Sequence, residues 1–154
     1  MSVRHYFAFG SNMNPQRVRD RGLAFDHVTA AVLADAELVF DKRSADHPRS
    51  GHANVVFRRG GRVEGVLYRL VDADQILRMD PFERTPINYS RDAVIVTTDG
   101  GPVHAWTYFA NPAVRVPDAR PEAAYMAHLL AGRPWLSREW IARLEAWPLA
   151  EDPA

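Results

Sequence analysis

Arg91-Asp-Ala-Val-Ile-Val-Thr-Thr98, Asp99-Gly-Gly-Pro102 and Val103-His-Ala-Trp-Thr-Tyr-Phe-Ala110 follow one another as strand, turn and strand. Ala93, Ile95 and Thr97 alternate with Val94 and Val96, the period of two that assigns alternate side chains to opposite faces of a sheet. Asp99-Gly100-Gly101 supplies the residues of a tight turn, so this stretch predicts a β-hairpin.

Upstream, Ala53-Asn-Val-Val-Phe57, Arg59-Gly60-Gly61-Arg62 and Val63-Glu-Gly-Val-Leu-Tyr-Arg-Leu70 carry the same signature and predict another hairpin. Val28 to Phe40 is rich in Val, Ala and Leu and reads as a strand, whereas Asp41 to Arg49 is polar, carries Pro48 and reads as a loop. His5-Tyr-Phe-Ala-Phe9 is a short aromatic run that stops at Gly10-Ser11-Asn12, a buried strand ending in a tight turn. Asn14-Pro15 suits a helix start. Asp72-Ala-Asp74 suits another, with Ile76, Leu77 and Met79 as its apolar positions and Pro81 as its end. Glu122 to Leu130 and Ser137 to Trp147 are amphipathic helices separated by Gly132 and Pro134, with Ser137 as an N-cap. The order predicts an α+β fold whose antiparallel sheet is barrel-like, in a single domain over residues 1–154.

At 154 residues the chain buries roughly 70% of its unfolded surface, enough for one core. Its 47% hydrophobic and 25% charged content is that of an ordinary globular protein. Nineteen basic residues balance nineteen acidic ones, so no global field draws it to nucleic acid or anionic lipid. No apolar run approaches the ~20 residues of a membrane span, and no signal-peptide core is present; with no cysteine, a reduced cytoplasm is the expected setting. The missing thiols also exclude thiolate nucleophiles, Fe–S clusters and Cys-ligated zinc. Lys42 is the single lysine, the one candidate for Schiff-base chemistry, and it falls in a polar stretch.

The six histidines never form an H-x-x-x-H pair, and His47 and His52 flank the predicted loop as solvated residues, so no metal and no cofactor are assigned. Phe9-Gly-Ser-Asn-Met13 lacks the first glycine of a G-x-S-x-G elbow, and neither G-x-G-x-x-G nor a Walker motif occurs. Two signals remain. Gly10-Ser11-Asn12 allows close backbone approach, and free amides in such a turn suit a carboxylate or phosphate; the plainer reading is a strand-ending turn. Glu83 lies amid Pro81, Phe82, Thr85, Pro86 and Ile87, surroundings that raise a carboxylate's pKa toward proton-shuttle range; the plainer reading is an ion pair with Arg84 or Arg91.

Tyr6-Phe-Ala-Phe-Gly-Ser-Asn-Met13, Gly51-His-Ala-Asn-Val55, Val63-Glu-Gly-Val-Leu-Tyr68, Asp80-x-x-Glu83-(x)5-Tyr89-x-Arg91 and Trp106-Thr-Tyr108 together resemble the γ-glutamyl cyclotransferase family in order and spacing. The resemblance implies a small, mixed, mainly antiparallel β-barrel with flanking short helices. It implies that Tyr6, Phe7, Ala8, Phe9, Gly10 and Ser11 bind the substrate, that Asn12 stabilises the turn, that Glu83 is the catalytic acid/base, and that Tyr89 and Tyr108 are pocket residues. The family usually has tyrosine where this chain has Phe9.

The implied reaction is attack of a γ-glutamyl α-amine on its own γ-carbonyl, giving 5-oxoproline and a free amine or amino acid without metal or covalent enzyme intermediate. The expected partner is a small γ-glutamyl molecule rather than nucleic acid or membrane, with a homodimer as the expected assembly. Glutathione fits less well, because that branch usually lacks asparagine after Gly-Ser. The alternative is a non-catalytic small-molecule-binding or accessory domain of the same fold.

Overall fold

The computed structural model describes residues 2–150. Five strands, β1 (His5–Ala8), β2 (Phe25–Arg43), β3 (Gly51–Leu70), β4 (Tyr89–Thr98) and β5 (Gly101–Ala110), close into a barrel in the order β1-β3-β2-β4-β5. Helices α1 (Pro15–Asp20), α2 (Ala123–Leu130) and α3 (Arg138–Glu145) flank it. Among the described residues, no helix is long and apolar enough to cross a membrane.

The quoted hairpin is β4–β5, paired from Tyr89 opposite Ala110 to Thr98 opposite Gly101. Its alternation sorts the faces as the pattern requires: Val96 is fully buried and Val94 packs against the core, while Ile95 is 57% exposed. The other predicted hairpin is corrected. Residues 53–57 and 63–70 are halves of one strand, and both pair with β2 rather than with each other. Between them the register slips, with Arg62 opposite Ala34 and Phe57 opposite Ala36. Gly60, at φ +78°, donates its N–H to Asp35 Oδ1 at 2.9 Å, and Asp35 itself sits at φ 54°. The Gly-Gly pair therefore serves a bulge that bends a continuous strand, for which left-handed backbone is needed as much as for a turn.

The true β2–β3 turn is residues 44–50. Strand β2 runs past the predicted boundary, pairing Lys42 with His52 and Arg43 with Gly51. On the other side of the bulge Val66, Leu67 and Tyr68 are all buried, so β3 is covered on both faces there.

Asn14 caps α1 by accepting from the Gln16 N–H, with Pro15 first in the helix. Asp72 likewise caps Ala73–Arg78, which is a 3₁₀ helix. Three residues per turn align Ile76 with Met79 inside and leave Leu77 exposed, a correction to its expected apolar role. Ser137 caps α3 by accepting from the Trp140 N–H, and its own hydroxyl and amide donate to Glu64 at 2.6 and 2.8 Å. Glu64 on β3 is therefore the peg on which α3 docks. Glu64→Ala is expected to cost roughly 2 kcal/mol, since hydrogen bonds to a charged group exceed neutral ones. A urea titration should show a lower midpoint at unchanged slope; an unchanged midpoint would detach α3 docking from Glu64.

Candidate active site

A cavity of about 320 Å³ opens beside the C-terminal end of β1. Tyr6, Phe7, Ala8, Phe9, Gly10, Ser11, Asn12, Glu83, Tyr89 and Tyr108 all line it. Strand β1 and the turn after it supply one wall, the segment between the 3₁₀ helix and β4 supplies Glu83, and β4 and β5 supply the two tyrosines.

Asn12 joins these parts. Its side chain is buried, and its Nδ2 lies 2.8 Å from Tyr6 Oη, 3.1 Å from Glu83 Oε1 and 3.4 Å from Met79 Sδ. Arg21 Nη1 donates to Asn12 Oδ1 at 3.2 Å, which fixes the amide so that its N–H groups face Tyr6 and Glu83. The Tyr68 hydroxyl donates to the Asn12 carbonyl at 2.6 Å. Arg21 Nη1 also lies 3.7 Å from Glu83 Oε1.

Glu83 keeps 16% of its side chain exposed, on the cavity side. Burial pushes its carboxyl above the ordinary 4.5, against the opposing pull of Arg21, Lys42, Arg17 and the Asn12 hydrogen bond. Neither Arg84 nor Arg91 is its ion partner: Arg91 binds Asp80 through Nε at 2.9 Å and Nη2 at 3.3 Å. Tyr108 donates to the same Asp80 at 2.6 Å. Asp80 thus ties the segment that carries Glu83 to β4 and β5. Arg84, next in sequence, holds φ 49°, a conformation that side chains with a Cβ rarely adopt.

The tyrosine hydroxyls are committed differently from what pocket tyrosines suggest. Tyr89 donates to the Ala53 carbonyl at 2.9 Å and Tyr108 to Asp80, so both present ring surface with the hydroxyl already spent. Tyr6 Oη instead accepts from Asn12, and among the described residues no acceptor takes its own proton. Burial raises the pKa of all three phenols, keeping them protonated.

Gly10 is required by close packing: a Cβ there would stand 2.9 Å from Ala53 Cβ and 3.1 Å from the Tyr125 hydroxyl. Tyr125, on α2, accepts from the Ala53 N–H and stacks on His52 with centroids 4.4 Å apart. His52 is accordingly a cavity residue on β3 and not a solvated loop histidine. Burial, reinforced by Lys42 and Arg17, lowers its pKa to about 4. His47 is exposed, 3.6 Å from Glu122. Asn54, from the Gly51–Val55 motif, is structural; it donates to Asp41 and accepts from the Ala110 N–H.

Arg17 and Arg21 were missed in the sequence, although a spacing of four after the Gly10-Ser11-Asn12 turn places both on one helix face. Among the described residues, no group of three or more His, Asp or Glu is arranged to hold a metal.

The family model described as γ-glutamyl cyclotransferase, AIG2-like matches residues 6–135. A solved γ-glutamyl cyclotransferase superposes with a TM-score of 0.83 at 22% identity, covering 100% of this chain and 92% of its own. An uncharacterized protein from Homo sapiens gives 0.84 at 23% identity, covering 100% and 93%. A glutathione-specific γ-glutamyl cyclotransferase from yeast gives 0.65 at 12% identity, covering 94% of each chain. No curated protein sequence matches. At these identities the solved structures speak for the barrel, and the family model, spanning most of the chain, speaks for descent: the protein belongs to the γ-glutamyl cyclotransferase, AIG2-like family.

Proposed function

We propose that the protein cyclises a γ-glutamyl amine or γ-glutamyl amino acid to 5-oxoproline, releasing the free amine or amino acid. The observation that carries this reading is Glu83, a carboxylate of raised pKa that faces the cavity and is held in place by Asn12 and Arg21. The substrate's α-carboxylate binds at the amides of the Gly10–Asn12 turn. Arg17, whose buried Nε has no partner among the described residues, adds a cation to that end.

Held in this way, the α-ammonium gives a proton to Glu83 and the freed amine attacks the γ-carbonyl carbon. The new C–N bond closes a five-membered ring, the ring nitrogen gives up its extra proton, the amide C–N bond breaks, and the departing nitrogen takes up both protons to leave as an ammonium, Glu83 carrying them between the two nitrogens. No water or cofactor enters the balance. Orientation contributes several kcal/mol, because the attack is intramolecular. Raising the Glu83 pKa toward neutrality suits one group to both proton transfers. Tyr6 is the hydroxyl with a proton free to donate to the carbonyl oxygen as charge develops there.

Incubation with γ-glutamyl-alanine should yield 5-oxoproline and alanine in equal amounts by mass spectrometry. Binding of that compound without 5-oxoproline would favour a non-catalytic binding domain of the same fold.

Glu83→Gln should lower turnover roughly 10²–10⁴-fold. Its stability should also move with pH. The folded pKa lies above the unfolded one, so the folded protein retains a proton that the unfolded chain releases, and wild-type stability falls as pH rises from 4.5 through the folded value. The amide has no such loss. Paired melts should therefore show a stability gain for Glu83→Gln opening above pH 4.5 and vanishing below it; a fully active, less stable variant would sink the assignment.

Tyr89→Phe and Tyr108→Phe should each lose about 1 kcal/mol of stability while changing kcat/KM less than about 10-fold, because the rings stay and the lost bonds are internal. A hundredfold fall in kcat for either would return it to the role of carbonyl donor.

A further inference from the structure

Lys42 is a cavity cation to which this cyclisation gives no ligand, its charge reaching Glu83 only through space. It is the chain's only lysine, projects from β2 where that strand pairs with His52, and is 7% exposed. Its Nζ lies 5.9 Å from the centroid of the Tyr89 ring. Among the described residues it makes no ion pair and no hydrogen bond; three nearby acids are engaged elsewhere, and a fourth, Asp46, is exposed in the turn that follows β2. Asp41, its neighbour in sequence, holds Arg115 at 2.7 Å and Asn54 at 3.0 Å. Glu122 accepts from Ser50 at 2.7 Å, and Glu83 faces Arg21 and Asn12. An ammonium buried without an anion is destabilising, and burial here pushes its pKa down. Such a group on a cavity wall fits an anion supplied by a ligand.

Position separates this anion from the α-carboxylate. Lys42 pairs with His52 on β3, while Gly10 of the turn packs against the next residue of that strand, Ala53, so the lysine and the turn reach the cavity from different elements. Ser44, Ala45 and Asp46, in the turn that follows β2, continue the cavity wall from Lys42 outward. A γ-glutamyl unit anchored at Gly10–Asn12 extends its leaving group along the cavity toward this wall. We propose that Lys42 determines specificity by binding the carboxylate of the leaving amino acid, so that γ-glutamyl amino acids are favoured over γ-glutamylamines. The proposal rests on the γ-glutamyl reading above.

The test compares γ-glutamyl-alanine with γ-glutamyl-ethylamide, which lacks only the alanine carboxylate. The wild-type protein should favour the acid by roughly 10- to 100-fold in kcat/KM, the worth of one charge-assisted contact. Lys42→Met should bring that ratio close to one, chiefly by raising KM for the acid, and Lys42→Arg should restore much of it. A wild-type ratio near one, or a ratio that Lys42→Met leaves unchanged, overturns the proposal. Equal loss on both compounds also overturns it, since Lys42 would then serve the glutamyl end. Thermal melts report folding, and Lys42→Met should melt at or above the wild type. Calorimetric Kd values for the two compounds give the same ratio without turnover. A Lys42-dependent acid preference in a protein that makes no 5-oxoproline would support the subsite while defeating cyclisation; binding of neither compound overturns the subsite.

Discussion

Everything in this molecule hangs on a four-residue strand that has partners on both sides. β1 pairs antiparallel with β3 through residues 5–8 and meets β5 in parallel, Tyr6 opposite Trp106. The Thr107 hydroxyl reinforces that seam by donating to the Phe7 carbonyl at 2.9 Å. Closure leaves no sheet edge to protect at this point. It also buries Tyr6, Phe7 and Ala8 and delivers the turn that follows directly to the cavity. The strand that completes the barrel is therefore the strand that begins the site, and the two roles cannot be altered separately.

From that turn a single amide organises the polar interior. Asn12 presents its N–H groups to Tyr6 and Glu83 and its oxygen to Arg21, while its own carbonyl is taken by Tyr68. A buried polar group satisfied on every side is rigid, and here the rigidity is handed to the carboxylate. The Asp80 cluster does the same from the opposite direction, through Arg91 and Tyr108. Glu83 is consequently placed by β1, α1, β4 and β5 together, although it sits on an irregular segment. The balance on it is delicate. Three cations and one hydrogen bond pull its pKa down and burial pushes it up, and burial prevails.

The β4–β5 hairpin was legible because its alternation and its Asp-Gly-Gly turn state the same thing. Gly60-Gly61 was not, because a bulge and a turn use the same left-handed glycine and differ only in which strand lies opposite. Lys42 was misplaced for a related reason: a strand that lines a polar cavity carries polar residues, and Asp41-Lys42-Arg43 looks like the start of a loop when the cavity is unknown. Glu83 could be singled out by its apolar neighbours in sequence, whereas its ion partner could not, since Arg21 is 62 positions away and arrives only through the fold. The fates of the Tyr89 and Tyr108 hydroxyls were equally hidden, because their acceptors, Ala53 and Asp80, lie on other elements.

The placement of Lys42 gives the chain an unusual chemical signature. Every other basic side chain in the sequence is an arginine or a histidine, so the only side-chain amine is the one enclosed by the cavity. Amine-directed reagents that leave a surface lysine-free have one internal target, reachable only by molecules small enough to enter and only in the fraction of time that its proton is off. Labelling of that position is thus a direct gauge of whether the cavity is open, filled or collapsed, obtained from the native chain without engineered probes.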